Sequence, residues 1–420
     1  MKKEEIIILG CGFNGMITAL GLASYNIKST IIEKKNLSNT NYLDTRTTAL
    51  TQRSKSIFKN FNIWKDIEPY TSNINEVYVV DNKSTMMVHL NASKSEFDSI
   101  GYMIENSNLY VKLIELVQNN PLINVIDNTS YVSIDSHQHS TTIYLTNKIF
   151  SSKDNSNITA IDINTSSKIN CELLIVCDGC NSIARKQYFE YFIDKEYHQS
   201  AIVFNVKHQK QHLGTAVEHF LPSGPFATLP LADQQVSSIV WVEKSNLATL
   251  YTQMDKKSLT NYVQDKFGWS LGKIEIITTP VLYPLKAKIA KQYYHNNVVL
   301  VGDTAHMIHP LAGQGLNQSI KDIDSLTDIV HSRKSLGLEM TSSEFKLYQR
   351  DRFLDNYTMY LLTDNLNRLF SNNLPLLATA RKISLGLLDR SVILKRMIMK
   401  YGMGSYSVSS KIINIANYIF

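Results

Sequence analysis

The feature that most constrains this chain lies near its start. Gly10-Cys11-Gly12-Phe13-Asn14-Gly15 has the G-x-G-x-x-G spacing, between an apolar run, Ile6-Ile7-Ile8-Leu9, and a helical segment over residues 15–25. A short run that is apolar at every position suits a central parallel strand buried on both faces. Ser29-Thr30-Ile31-Ile32-Glu33 then reads as a second strand, and this β-α-β order implies a parallel sheet. The first glycine allows a tight turn, the second lets backbone approach a pyrophosphate, and the third lets helix and strand pack closely. The helix N-terminus offers free N–H groups and the positive end of its dipole to the phosphates. Glu33 is placed to accept hydrogen bonds from a ribose. An acid there disfavours a 2′-phosphate, so the site should hold FAD or NAD rather than NADP.

Two later apolar runs look equally central: Leu173-Leu174-Ile175-Val176 and Val298-Val299-Leu300-Val301. Each leads directly into an acid-bearing turn, Asp178-Gly179 and Gly302-Asp303. Residues 77–90 and 202–243 instead alternate apolar and polar, the pattern of antiparallel strands with one covered face. Residues 147–170 are rich in Asn, Ser and Thr and read as a long hairpin excursion or loop; the Asn157-Ile158-Thr159 sequon within them is incidental without a secretion signal. From Ser342 onward, Leu, Ile and Met recur at helical spacing.

At 420 residues the chain exceeds what one hydrophobic core organises, so two packed units, or one large unit with an inserted second one, are expected. An apolar fraction of 44% with 19% charged residues is ordinary for a soluble globular protein. Four cysteines are too few for a disulfide scaffold, which points to a reducing, cytoplasmic compartment. Lys2 and Lys3 before an apolar stretch imitate a signal peptide, but Glu4, Glu5 and the glycine motif argue against one. No run is long and apolar enough to span a bilayer, so membrane contact would be peripheral, at the inner face of the cell membrane. Residues 381–411 carry seven basic side chains against one acid, which equals the whole chain's net charge of +6. Such a local basic tail suits an anionic membrane surface better than a nucleic-acid groove, although a solvated helix face would look the same.

Five further segments narrow the reading. Gly302-Asp303-Thr304-Ala305-His306 followed by His309-Pro310-Leu311-Ala312-Gly313-Gln314-Gly315-Leu316-Asn317 resembles the second FAD motif of the class A flavoprotein monooxygenases. Cys177-Asp178-Gly179-Cys180-Asn181-Ser182, with Arg185, resembles their central Asp-Gly motif. Asp44-Thr45-Arg46, Phe220-Leu221-Pro222-Ser223-Gly224-Pro225 with Leu229-Pro230-Leu231, and Leu361-Leu362-Thr363-Asp364 with Leu369-Phe370-Ser371 narrow the resemblance to the ubiquinone-biosynthesis hydroxylases, over nearly the full chain.

The fold implied is α/β. A doubly wound, Rossmann-like FAD-binding domain (residues 1–72, 100–190 and 281–341) is interrupted by a mostly antiparallel β-sheet substrate domain (73–99 and 191–280). A helical C-terminal segment (342–420) follows. The resemblance implies a monooxygenase that hydroxylates the ring of a polyprenylated phenol with O₂, through reduced FAD and a C4a-hydroperoxide. The alternative is a non-catalytic FAD-binding scaffold of a quinone-biosynthesis complex. No second nucleotide motif is visible, so NAD(P)H would bind transiently in the open site or a separate protein would supply electrons. Gly10, Gly12, Gly15, Glu33, Arg46, Asp178, Gly179, Gly302, Asp303, Gly313, Gln314, Gly315, Leu316 and Asn317 are the expected cofactor contacts. Asp303 would bind a ribityl or ribose hydroxyl, and the helix opened by residues 313–317 would face the isoalloxazine and stabilise negative charge at its N1–C2=O edge. By resemblance, Pro310 forms a rigid wall of the active site and Arg46 touches flavin and pyrophosphate.

Two metal-like patterns carry less weight. Cys177-x-x-Cys180 has ligand spacing but no second pair, and reads as two small hydrophobes. Asp303, His306 and His309 imitate a ligand cluster, but no further carboxylate closes it, and His306 is expected to pack beneath the flavin loop.

Overall fold

The computed structural model describes residues 3–37, 44–81, 87–94, 98–138, 140–146, 167–371, 389 and 391–404. Two large sheets organise it. The first has eight strands, five of them parallel in the order Val298–Leu300, Ser167–Val176, Lys3–Leu9, Ser29–Ile32 and Ile123–Ile126. Ile6 to Leu9 and Leu173 to Val176 are essentially inaccessible, as expected for strands covered on both faces. Phe13–Ser24, the helix after the glycine loop, covers one face together with Gln314–Ser335. Tyr294–His295 and the antiparallel pair Ser130–Ser136 and Thr141–Thr146 complete this sheet.

The second sheet has nine strands. Its main path runs His306–Met307, Val281–Ala290, Tyr191–His208, Val236–Lys244, Gly224–Pro230, Thr215–Leu221, Glu76–Asp81, Met87–Asn91. Alternate side chains of these strands face opposite ways. Ile202, Phe204, Ile239 and Trp241 face back, into a core covered by the helices Ser245–Thr252 and Lys256–Phe267. Ala201, Val203, Val240 and Val242 face forward, toward the cofactor domain. A small sheet of Thr47–Leu50, Gly101–Glu105 and Thr71–Ile74 packs on the second one, with Ile74 and Met103 clustered with Ala216.

One expected boundary moves. Val281–Ala290 does not belong to the cofactor domain, where the sequence reading places it. It pairs with Tyr191–His208 in the second sheet, and the chain returns to the first sheet only at Tyr294–His295 and Val298–Leu300. The reason is visible in its burial pattern: Leu285, Ala287 and Ile289 are buried while the residues between them are not, so the strand is covered on one face only.

The C-terminal segment is helical where described. Ser342–Phe370 opens on a capping box of Thr341 and Glu344, which satisfies the first N–H groups reciprocally. Val392–Gly402 follows. The 147–166 part of the expected excursion, its sequon, and the tail cations Arg381, Lys382, Arg390 and Lys411 lie outside the described residues. Residues 167–170 are not loop but the start of Ser167–Val176.

Candidate active site

Between the two large sheets lies one continuous cavity of about 1940 Å³. Pockets for drug-sized ligands measure about 300–1,000 Å³. This cavity therefore has room for a dinucleotide and a second molecule together.

One wall is made mostly of backbone. Gly10 has φ +96°, and a Cβ there would stand 2.9 Å from the Cys177 carbonyl oxygen. A Cβ on Gly15 would fall 1.9 Å from the Gly10 carbonyl oxygen, so this glycine lets the helix press against the loop. A Cβ on Gly12 would meet nothing within 4 Å, because Gly12 faces the open cavity. Gly12 is also the N-cap of Phe13–Ser24, which has no side-chain cap and no acid in its first turn. Those N–H groups are the ones an anion would meet. The loop is braced from behind by Glu33, whose carboxylate accepts from the Cys11 N–H (2.6 Å) and the Lys35 N–H (2.9 Å). A carboxylate has about four acceptor positions, so capacity for a ribose hydroxyl remains.

A second uncapped helix N-terminus faces the same space. Gly313, at φ +61°, caps Gln314–Ser335 after a tight turn over Leu311–Gly313, and the Gly313 N–H donates to the Pro310 carbonyl at 2.9 Å. Left-handed backbone of this kind favours glycine. Gly315 also opens on free space. Pro310, Gly313, Gln314, Gly315 and Leu316 all line the cavity.

Three polar side chains converge there. Asp303 is exposed to the cavity but enclosed by protein, and burial raises its carboxyl pKa against the lowering influence of His306 and Arg46. Asp178 is likewise raised by burial; it accepts from the Tyr131 hydroxyl, which in turn accepts the Ala184 N–H at 3.0 Å. Arg46 is clamped by Asp44 through Nε (2.9 Å) and Nη2 (2.7 Å) and lies 4.7 Å above the Tyr283 ring. Burial raises the Asp44 carboxyl, but the Arg46 contacts outweigh it and hold its pKa below the usual value. Buried Asn14 Oδ1 and Asp178 Oδ1 have no hydrogen-bond partner among the described residues. Unmatched buried acceptors beside a glycine cradle suit a ligand rich in hydroxyl groups.

The structure thus brings Gly10, Gly12, Glu33, Arg46, Asp178, Gly179, Asp303, Pro310, Gly313, Gln314, Gly315 and Leu316 to one cavity. Gly15, Gly302 and Asn317 do not line it. A Cβ on Gly302 would stand 2.1 Å from Asn14 Nδ2, so this residue serves close packing. Asn317 is fully buried and acts as a brace. Its Oδ1 accepts from the Thr51 N–H (2.9 Å) and the Ser54 hydroxyl (2.7 Å), and its Nδ2 donates to the Ala49 (2.7 Å) and Gly313 (3.1 Å) carbonyls.

Behind the site is a buried charge network. Asp322 accepts from His306 Nε2 (2.5 Å), Arg352 Nε (2.7 Å), Asn356 Nδ2 (3.2 Å) and the Gly302 N–H (3.2 Å). Burial opposes ionisation of Asp322, yet His306 and Arg352 hold its pKa down to about 2. His306 is thus tied beneath the loop by a carboxylate that sequence spacing does not single out. Among the described residues no group of three His, Cys, Asp or Glu could hold a metal ion. Cys177 is buried with its thiol pushed up to about 12 by burial, the behaviour of a packed hydrophobe.

The opposite wall is apolar. Val79, Val88, Ala216, Phe220, Ala227 and Leu229 line it, with Met359, Leu362 and Leu366 from Ser342–Phe370 and Met397 to Met399 from the last helix. Sequence reasoning missed Glu218, which also faces the cavity from this wall.

A family model described as an FAD binding domain matches residues 3–331. The ubiquinone hydroxylase UbiL of Rhodospirillum rubrum is 28% identical over 408 residues, covering 96% of this chain and 90% of that protein. The 3-demethoxyubiquinol 3-hydroxylase of Escherichia coli is 28% identical over 407 residues, covering 96% and 99%. The crystal structure of p-nitrophenol 4-monooxygenase PnpA from Pseudomonas putida superposes with a TM-score of 0.77 at 14% identity, covering 96% of this chain and 99% of that one.

Proposed function

This chain belongs to the FAD-binding-domain family and is an FAD-dependent monooxygenase, and from that premise we propose that it hydroxylates the aromatic ring of a polyprenylated phenol in ubiquinone biosynthesis. The observation that carries this reading is the continuity of the cavity. A backbone cradle for a dinucleotide opens directly onto an apolar sheet face, which leads along Ser342–Phe370 to the last helix. A scaffold protein has no need of that second, apolar chamber, so the catalytic reading is favoured.

When bound and reduced, FAD would supply the two electrons that activate O₂, of which one oxygen atom enters the ring and the other leaves as water. The protein's own part is positioning, water exclusion and charge stabilisation. Gly10, Gly12 and the N-terminus of Phe13–Ser24 would hold the pyrophosphate, Glu33 a ribose, and Asp303 a ribityl hydroxyl. The N-terminus of Gln314–Ser335 would stabilise negative charge on the reduced ring. Arg46, fixed by Asp44, would place a cation beside the cofactor. Pro310, whose ring fixes its own backbone, would give the reacting ring a rigid wall. The apolar face would exclude water and receive the start of the prenyl chain.

The same reading has a membrane arm. No helix among the described residues is long and apolar enough to cross a bilayer, so a lipid-borne substrate would be met at the surface. The last helix is divided in a way that suits this. Met399 and Met403 are buried against Phe220 and Phe370, while Ile393 is 73% and Met397 55% exposed. Apolar side chains beside Arg396 suit an interface with anionic lipid. Lys395 contributes less, being paired with Asp389 at 2.5 Å.

The test is direct. The FAD-loaded protein, given NADPH or a reducing partner, O₂ and 2-geranylphenol, is expected to yield a ring product with one added oxygen atom by mass spectrometry. Flavin reoxidation that gives only hydrogen peroxide across a panel of prenylated phenols would refute the assignment.

A further inference from the structure

Among the residues of the second sheet that line the cavity, one is a carboxylate. Glu218 lies on Thr215–Leu221, paired in register with Val79 on one neighbouring strand and Ala227 on the other. Residues paired across a sheet share a face, and so do residues two apart along a strand. Glu218 is therefore flanked on all four sides by apolar cavity-lining residues: Val79, Ala227, Ala216 and Phe220. No hydrogen bond or ion pair from the described residues reaches it, and burial alone pushes its carboxyl pKa up to about 7. Lys286, a cation that also lines the cavity, is engaged with Glu196 at 2.5 Å.

An unpartnered carboxylate in such a wall destabilises the fold. A chamber that only held hydrocarbon would gain nothing from it. The position is also specific. Two residues along the strand, Phe220 packs in one cluster with Leu311. Two residues the other way, Ala216 clusters with Ala49, whose Cβ is 3.5 Å from where a Cβ on Gly313 would stand. Glu218 lies between these contacts, across the chamber from the Leu311–Gly313 turn that follows Pro310.

We propose that Glu218 recognises the ring hydroxyl of the substrate, accepting its hydrogen bond across the chamber from the Pro310 turn and so fixing which ring carbon is presented to the cofactor. This rests on the phenol reading above. A phenol hydroxyl is a good donor, and a carboxylate in an apolar wall is a strong acceptor whose only competitor is cavity water. Filling the chamber with a phenol satisfies both groups at once. An ether, or a ring without the hydroxyl, leaves the carboxylate unmatched, which is how a buried polar group discriminates. Glu218 is thus a specificity-determining residue, and the ring's orientation follows from it.

The experiment uses FAD-loaded wild type, Glu218→Leu and Glu218→Gln, each checked for full flavin occupancy and a cooperative melting curve no lower than that of wild type. The probes are 2-geranylphenol and its methyl ether, with binding followed by flavin fluorescence and products by chromatography. Wild type is expected to prefer the phenol by about 10- to 100-fold, the range of a hydrogen bond to a charged group. Glu218→Leu should bind both probes alike, with ether affinity no weaker than in wild type, and should give mixed ring isomers. Glu218→Gln, whose carbonyl still accepts, should keep part of the preference. A Leu variant that retains both the preference and a single isomer overturns the role of Glu218 and leaves the phenol reading intact. A wild type that binds neither probe overturns the phenol reading, and this inference with it.

Discussion

The two walls of the cavity are built on opposite principles. The cofactor wall is backbone: glycines where a Cβ would collide or would fill the cavity, and two uncapped helix N-termini. The substrate wall is side chains: one face of a nine-stranded sheet, where Glu218 is the one carboxylate among the apolar residues that line the cavity. A backbone wall cannot be altered without losing the ligand or the fold. A side-chain wall can be altered in selectivity while the fold remains. That difference explains how one cofactor site can serve many ring substrates.

The largest expected effect is on the cofactor wall. Gly12→Val should fold, since a Cβ there meets no protein atom within 4 Å, yet lose bound FAD because the side chain occupies the pyrophosphate space. A purified variant that stays yellow with full occupancy would break the assignment of that wall. Gly15→Ala is the control in the other direction, since its Cβ would collide with the Gly10 carbonyl and cost folding itself.

Next in size is the brace behind the loop. Asp322→Asn removes one of the two carboxylates paired with buried Arg352, the other being Asp355, and should cost about 3 kcal/mol in stability. Because the Asp322 pKa is held down to about 2 from 3.8, its contribution is fully present above pH 3.8 and disappears as pH falls through 2. Chemical denaturation at neutral pH checks the first effect. Comparing wild type and variant toward pH 2, where the gap should close, checks the second.

Asp303→Ala should weaken FAD binding by about 1.5–3 kcal/mol, through loss of a hydrogen bond to a charged group. Titration of apoprotein with FAD, alongside a melting curve, separates this from a purely structural role, in which the melting curve falls and affinity does not.

On the substrate wall the stability effect should be small and of opposite sign. The Glu218 carboxyl is raised from 4.5 to about 7, so the folded state holds a proton that the unfolded chain releases. Stability from this group is present below pH 4.5 and declines as pH rises through 7. Glu218→Gln should therefore be stabilised by roughly 1–2 kcal/mol at pH 8 and unchanged at pH 4. Equal melting shifts at both pH values would show that the carboxylate is solvated like a surface group.

The same contrast governs what was legible in the sequence. Backbone demands leave glycines at fixed spacing, so Gly10, Gly12, Gly313 and Gly315 could be placed from the chain alone. The buried strands ending at Leu9, Val176 and Leu300 could be placed because burial on both faces leaves unbroken apolar runs. Glu218 was not legible. In Thr215–Leu221 an acid and a histidine stand side by side, and alternation does not say which of the two faces inward. Asn317 sits inside a cofactor motif, but its four hydrogen bonds are all to protein, a distinction only contacts reveal. Asp322 and Arg352 lie on different helices, and no local pattern pairs them. Val281–Ala290 pairs in the second sheet, past the boundary expected at residue 280, because a strand's partner is set by long-range register that local sequence does not carry.

The central claim is that both walls serve one reaction. It is tested most directly by narrowing the substrate wall and measuring how reduced flavin is spent. Ala227 lines the apolar chamber from the middle of the second sheet. In Ala227→Trp the expected result is full FAD occupancy, normal reduction and normal O₂ consumption. Hydroxylated 2-geranylphenol should fall at least tenfold, and hydrogen peroxide should rise to replace it. A variant that still makes one hydroxylated ring per flavin oxidised would contradict the claim, because the chamber opposite the cofactor would then not be where the ring reacts.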